Sequence, residues 1–251
     1  MANVIVEAKD ICLTYHDLSG ETEAISHLSF SVQEGEFVAI VGPSGCGKTS
    51  VLSLIAGLMP PSSGEISLSG NAPGYMLQRD HLLDWRTIEG NVLLGLQVKG
   101  LLCDQTRAFA LSLLETYGLR AFANNYPRQL SGGMRQKVAL IRTLAFSPDL
   151  LLLDEPFSSL DYQTRLRASD EIHGIIKNEK KTAILVTHDI AEAISMSDRI
   201  LVFSARPATI KSEHIVTLTA EPHPIARRNA PEFKVYFDQI WKELDNGEAK
   251  R

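Results

Sequence analysis

The stretch VAIVGPSGCGKTSVLSLIAG, residues 38–57, constrains this chain more than any other. Residues 37–41 read as a buried strand, residues 42–49 fit G-x-x-x-x-G-K-[ST], and residues 50–56 carry an apolar stripe at helical spacing. A strand that turns through glycines straight into a helix belongs to an α/β fold, and it aims backbone N–H groups at one point. The glycines let those groups wrap phosphate oxygens, Lys48 neutralises charge at the β/γ positions, and Thr49 offers a hydroxyl to Mg²⁺. Candidate nucleotide-binding residues are therefore Gly42, Pro43, Ser44, Gly45, Cys46, Gly47, Lys48, Thr49 and Ser50.

A second stretch, LLLLDEP at residues 150–156, supplies the acids that phosphoryl transfer needs. Its apolar run predicts a strand buried on both faces, and Asp154 and Glu155 fall at its carboxyl end, where ligands of open α/β sheets sit. Asp154 suits Mg²⁺ through its water shell, leaving Glu155 to polarise an attacking water. A third stretch, LSGGMRQKVAL at residues 130–140, starts a helix on bare backbone. Ser131 can cap it, and Gly132 and Gly133 let an anion approach its N-terminus. Alone, the same residues also read as an ordinary Ser/Gly cap.

The remainder alternates strand-like and helix-like segments. Strands are expected at residues 4–6, 13–15, 28–32, 65–68 and 74–78, and later at 150–153, 183–186, 200–203 and 210–215. Between about residues 80 and 147 the pattern becomes helical, with Ile88, Val92, Leu93 and Leu96 on one stripe and Ala110, Leu113, Leu114 and Tyr117 on another. That stretch reads as a helical insertion. At 251 residues and 44% hydrophobic, the chain can bury a full core. A net charge of −5 disfavours nucleic acid as the main partner. No apolar run is long enough to span a bilayer and the start lacks a signal-peptide pattern, so a cytosolic chain is expected. Cys12, Cys46 and Cys103 fit free thiols. Residues 220–231, AEPHPIARRNAP, read as a linker, and the tail beyond carries apolar residues at near-helical spacing, expected to pack back on the domain.

GPSGCGKT, LSGGMRQ, LLLLDEP, SSLD and VTHD stand in the order and approximate spacing of an ABC transporter ATPase subunit, which the chain resembles over nearly its whole length. The resemblance implies a P-loop NTPase core of the ABC ATPase type, with an antiparallel β subdomain and an inserted helical subdomain. It places the ATPase domain at residues 4–215, the helical insert at about 80–147 and a C-terminal extension at 216–251. It also implies that Ser131, Gly132 and Gly133 cap the ATP of the opposite subunit in a head-to-tail homodimer. Tyr15 resembles the aromatic that stacks on adenine, although alone it reads as a half-buried strand residue. Gln78 resembles the glutamine that reaches Mg²⁺ and the attacking water, which makes Thr49, Gln78 and Asp154 the metal set. His188 resembles the histidine that contacts the γ-phosphate, so Glu155, His188 and Gln78 form the catalytic set. Asp161 resembles the aspartate of the loop crossing the dimer interface, and unaided it reads as an N-cap. Ser159 stands where alanine is common.

Residues 79–92, RDHLLDWRTIEGNV, place Leu82, Leu83 and Trp85 where the family docks its membrane subunit. The segment is similar to the LLPWRT stretch of importers for nitrate, sulfonates and taurine, with Asp84 in place of proline. For Trp85, burial in the core is the competing expectation. The implied assembly is an ATP-hydrolysing subunit at the cytoplasmic face of two permease subunits, with a solute-binding protein and ATP and Mg²⁺ as cofactors. A soluble ABC-type ATPase without a membrane partner is the alternative, as is an ATP-gated binding protein with negligible turnover.

Overall fold

The computed structural model describes residues 3–17 and 20–248. Two sheets share one α/β core. A three-stranded antiparallel sheet has the order β2–β1–β4, from β1 (Val4–Asp17), β2 (Gly20–Gln33) and β4 (Ser63–Leu68). The larger sheet is built from β3 (Phe37–Val41), β5 (Gly74–Met76), β6 (Leu150–Asp154), β7 (Thr182–Val186), β8 (Arg199–Phe203) and β9 (Ile210–Ile215). Its order is β5–β6–β7–β3–β8–β9, parallel throughout except for β9. Every residue of β3, β6 and β7 is buried, which is why these strands read as unbroken apolar runs.

Two expected strands, 4–6 and 13–15, are one long strand. The pairing of β1 with β2 shifts register between Ala8 and Ile11, around Asp10 at φ 51°. That bulge moves the buried side chains from the Val6 and Ala8 parity to that of Ile11 and Leu13, breaking the alternation that a sequence pattern follows. At the other extreme, β5 ends at Met76, so Gln78 lies beyond the sheet and not on the strand expected at 74–78.

The helical stretch contains α2 (Ile88–Val98), α3 (Asp104–Thr116) and α4 (Gly132–Leu144). Their apolar stripes meet Leu151 and Leu153 of β6 and Ile172 of α5 (Tyr162–Asn178) in one continuous cluster. On the opposite face of the sheet, α1 (Lys48–Ile55) packs with β1 and β2. Behind β7 comes α6 (Ile190–Met196).

Residues 220–231 are not a free linker. They contain a one-turn helix, α7 (Pro224–Arg227), whose buried Arg227 donates to the carbonyls of Ile194 (3.2 Å) and Ser197 (2.6 Å). The strap thus ties down the end of α6. Beyond it α8 (Phe233–Glu248) lays Ile240, fully buried, against Val41, Ile194 and Val202, so the tail packs back on the domain.

Candidate functional site

Because β7 lies between β6 and β3, the carboxyl ends of three adjacent strands meet at one edge. Residues 42–47 leave β3 there. Gly45 and Gly47 hold φ of 73° and 117°, which side chains with a Cβ rarely adopt, and a Cβ on Gly47 would sit 3.1 Å from the Ala24 carbonyl oxygen. Lys48 is buried, with Nζ donating to the carbonyls of Gly42 (2.8 Å) and Pro43 (2.9 Å), so its charge is held in the centre of the loop. Cys46 is also buried, and its thiol is pushed up by burial.

At the end of β6, Asp154 accepts from Thr49 Oγ1 (3.1 Å) and Tyr75 OH (3.3 Å). Burial raises the Asp154 carboxyl, and the two hydroxyls partly offset that shift. Tyr75 itself is pushed up to about 12 by burial and by the charge of Asp154. Glu155 holds φ 43°, an unusual conformation for a residue with a side chain, costing on the order of 1–3 kcal/mol. Its N–H is fixed on the Val186 carbonyl at 2.8 Å. Gln78 Nε2 donates to Glu155 Oε2 (3.3 Å), and His188 Nδ1 lies 3.1 Å from the same oxygen. Two residues of the expected catalytic set, Gln78 and His188, therefore converge on a single carboxylate oxygen of the third, Glu155. Gln78 Nε2 also reaches Ser158 Oγ at 3.4 Å.

Tyr15 is exposed, and its hydroxyl donates to Ser50 Oγ at 2.9 Å, which fixes the ring beside the phosphate loop. A cleft of about 250 Å³ is lined by Tyr15, Ser44, Lys48, Thr49, Ser50, Glu155 and Arg206, among others. Arg206 was missed in the sequence. It stands on a turn before β9 that is pinned by Ala208, whose N–H donates to Ala24 O (2.9 Å) and whose O accepts from Ser26 N (3.0 Å). The basic residue was visible in FSARPATI, but nothing there ties it to residues 150 positions away.

Ser131, Gly132 and Gly133 line a different cleft, with Leu160, Asp161 and Thr164, and among the described residues none lines both clefts. Ser131 Oγ caps α4 by accepting from Met134 N at 3.3 Å. The glycines have a reason inside the chain as well: a Cβ on Gly132 would lie 2.8 Å from Leu160 Cδ2, and one on Gly133 3.3 Å from Thr164 Cγ2. Asp161 caps α5, accepting from Thr164 N at 3.1 Å.

After Gln78 the chain presents Trp85 at 75% exposure, which removes the core as its environment. Leu82, by contrast, is only 8% exposed and belongs to the helical core, so it does not offer the docking surface expected of it; Leu83 is half-buried. The loop is organised by Asn91, a fully buried side chain that sequence reasoning missed. Its Oδ1 accepts from Leu83 N (2.6 Å), and its Nδ2 donates to the carbonyls of Leu83 (3.1 Å), Arg86 (3.2 Å) and Thr87 (3.0 Å). Two arginines of α4 hold the same segment from the other side. Arg135 Nε pairs with Asp80 (3.1 Å), and Arg142 donates to the carbonyls of Asp80 and His81 at 2.7 Å each.

This edge, with a phosphate loop after β3 and an acidic pair closing β6, defines a P-loop ATPase. The ABC transporter family model matches residues 25–158. The ABC transporter ATP-binding protein YtlC of Bacillus subtilis, itself uncharacterized, is 47% identical, covering 95% of each chain. The nitrate import ATP-binding protein NrtD of Synechocystis is 36% identical over 98% of this chain and 97% of its own, and the taurine import ATP-binding protein TauB of Yersinia pestis is 38% identical over 85% and 91%. Among solved structures, the dimeric post-hydrolysis state of the ATP-binding cassette MJ0796 bound to ADP and Pi superposes with a TM-score of 0.71 at 30% identity, over 85% of this chain and 99% of that one. The chain belongs to the ABC transporter family, as an ATP-binding, ATP-hydrolysing cassette with the P-loop fold.

Proposed function

We propose that the chain is the ATP-hydrolysing subunit of an importer for a small solute of the nitrate, sulfonate or taurine kind. It works as a head-to-tail homodimer beneath two membrane subunits at the cytoplasmic face, with a solute-binding protein delivering cargo. Convergence of Gln78 and His188 on one oxygen of Glu155 is the observation that carries the hydrolytic part. For the importer branch, support comes from the nitrate and taurine import relatives and from Trp85, an exposed aromatic on a loop held rigid beside Gln78. Among the described residues no helix is long and apolar enough to cross a membrane, and the proposal assigns the translocation path to separate subunits. The ATPase domain spans residues 4–215, with the helical insert at about 80–147, and residues 216–251 form an extension.

The residues fit ATP with Mg²⁺. Thr49 and Asp154 bring a hydroxyl and a carboxylate within 3.1 Å of each other, hard oxygen donors of the kind Mg²⁺ takes, and Gln78 is the third candidate. Held by these residues, Mg²⁺ would supply positive charge to offset that of the phosphates. The backbone of residues 42–47 wraps those phosphates, and Lys48 exchanges the loop carbonyls for phosphate oxygens. The Tyr15 ring packs on the base. Glu155 takes the proton of the attacking water, while Gln78 and His188 hold its carboxylate in place. Ser131, Gly132 and Gly133 of one protomer close over the phosphates held by its partner, with Asp161 beside them, consistent with their separate cleft within the single chain. ATP favours the closed dimer through its greater affinity for that state, and hydrolysis reopens it.

Purification of the chain from detergent-solubilised membranes, with identification of what accompanies it, tests the assignment. Co-purifying permease subunits whose solute-binding partner takes a small anion or zwitterion is the expected result. A chain that hydrolyses ATP but brings down no membrane protein is a soluble ABC-type ATPase, and one that binds ATP with negligible turnover is a gated binding protein; either overturns the importer reading.

A further inference from the structure

Arg165, in the first turn of α5, addresses two loops at once. Its Nη2 donates to the carbonyl of Leu160 (3.1 Å), next to Asp161, and its Nη1 to Asp189 Oδ2 (3.4 Å), next to His188. Its Nε is buried with no hydrogen-bond partner among the described residues and stands 3.9 Å from Glu192 Oε1. Glu192 is 3% exposed, and its other oxygen accepts the Thr187 hydroxyl at 2.7 Å. Thr187 Oγ1 in turn accepts the Asp189 N–H (3.0 Å), and Asp189 Oδ1 caps α6 on the N–H groups of Ala191 (2.8 Å) and Glu192 (3.1 Å). Of the residues flanking His188, Thr187 is therefore fixed on the Glu192 carboxylate and Asp189 on the Thr187 hydroxyl, and that carboxylate faces one guanidinium.

We propose that Arg165 is a positioning residue for hydrolysis, coupling the Leu160–Asp161 turn to the loop that carries His188, with Glu192 as its buried counter-charge. The inference rests on the roles proposed for His188 and Asp161. The 3.9 Å gap is what makes the pair a coupling and not a fixed strut. Closing it to hydrogen-bond range satisfies Nε and draws the Thr187–Asp189 loop towards the Asp161 turn, so that movement at the dimer surface reaches the Glu155–His188 contact.

The charged groups around Glu192 are Asp189 on its own loop, Arg165 from α5 and Arg228 from the strap that follows α7. Burial is the largest influence and lifts Glu192 to about 7; Asp189 adds to the rise, while the Thr187 hydroxyl and the two arginines oppose it. Arg228 Nε and Nη2 are also buried with no partner among the described residues, so the strap contributes charge to Glu192. Protonation of Glu192 loosens its hold on both cations, and turnover falls on the acid side of neutrality.

Full-length Glu192→Gln and Arg165→Lys are compared with wild type and with His188→Ala as a control, reading thermal midpoint, mant-ATP affinity, and kcat and KM over about pH 5.5 to 8.5. Expected is a folded Glu192→Gln with mant-ATP affinity within about twofold of wild type, kcat lowered about tenfold or more, and no acid limb near neutrality. Arg165→Lys, which reaches fewer of the acceptors, keeps the limb and loses less turnover. Wild-type kcat and an unchanged pH profile in both variants overturn the proposal, as does loss of activity only in proportion to lost folded protein. If both variants fail to fold, the pair is structural and the proposal is wrong. An unaffected His188→Ala removes the underlying functional reading instead, so the two failures are distinguishable.

Discussion

Replacing Asn91 with alanine tests whether one buried amide shapes the surface that carries Trp85. The side chain accepts from Leu83 N, and its two Nδ2 hydrogens are shared among the carbonyls of Leu83, Arg86 and Thr87, all at 2.6–3.2 Å. At about 1 kcal/mol net for the one accepted bond and each of the two donors, the upper figure is ~3 kcal/mol, and water reaching the freed carbonyls of a loop at the surface lowers it towards ~2 kcal/mol. For a domain of this size each kcal/mol shifts the midpoint by roughly 2–4 °C, so a loss of about 4–12 °C is expected. Calorimetry gives the shift, and hydrogen exchange locates it: the Leu83 amide, now bonded to Asn91 Oδ1, exchanges faster than those of β6. An unchanged midpoint together with a Leu83 amide as protected as in wild type would refute the reasoning, because the loop would then be held by something other than Asn91.

Three further outcomes follow from the same geometry. Lys48→Ala removes the buried cation at the centre of the phosphate loop, and equilibrium ATP binding should fall by about tenfold or more in a folded protein. Trp85→Glu, at a position 75% exposed, should leave the thermal midpoint within about 2 °C while weakening pull-down of membrane subunits by roughly tenfold or more, as loss of an aromatic hot spot does. Glu192 binds its proton more tightly in the fold (about 7) than in an ordinary carboxylate (4.5), so its contribution to stability is fully present below about pH 4.5 and is lost as pH rises through about 7. Urea titrations at pH 5 and pH 8 should show a difference on the order of 3 kcal/mol from this group, which Glu192→Gln abolishes.

Much of the fold was legible because burial on both faces leaves an unmistakable record. The central strands β3, β6 and β7 are apolar apart from Thr182 at the start of β7 and Asp154 at the end of β6, and the glycines of the phosphate loop stand out in the sequence. What escaped was whatever depends on partners far along the chain. The bulge at Asp10 disguised β1 as two strands, and the proline-rich segment before α8 looked like a linker because the carbonyls that Arg227 binds belong to α6. Leu82 and Trp85, three residues apart, were both expected at the docking surface, with the core as the competing place for Trp85, and the structure buries Leu82 and exposes Trp85. Gly132 and Gly133 carry a second lesson. Their sequence suggested a space for phosphate, and the close approach of Leu160 and Thr164 gives each a packing reason that holds whatever binds there.

Whether that cap also acts across a dimer is decided most directly with Glu155→Gln. The substitution keeps the side chain's shape but removes the carboxylate proposed to polarise water, so hydrolysis should fall by about 10²-fold or more while ATP binding, assigned to Lys48, Thr49 and Asp154 in the same proposal, should remain. Size-exclusion chromatography with light scattering should then show a dimer with ATP and a monomer without it. Adding Ser131→Arg places a bulky cation at the positive N-terminus of α4, where the partner's phosphate is to dock, and should return the protein to monomer in the presence of ATP. A double variant that dimerises with ATP as fully as Glu155→Gln alone would contradict the account, leaving Gly132 and Gly133 with their packing role only.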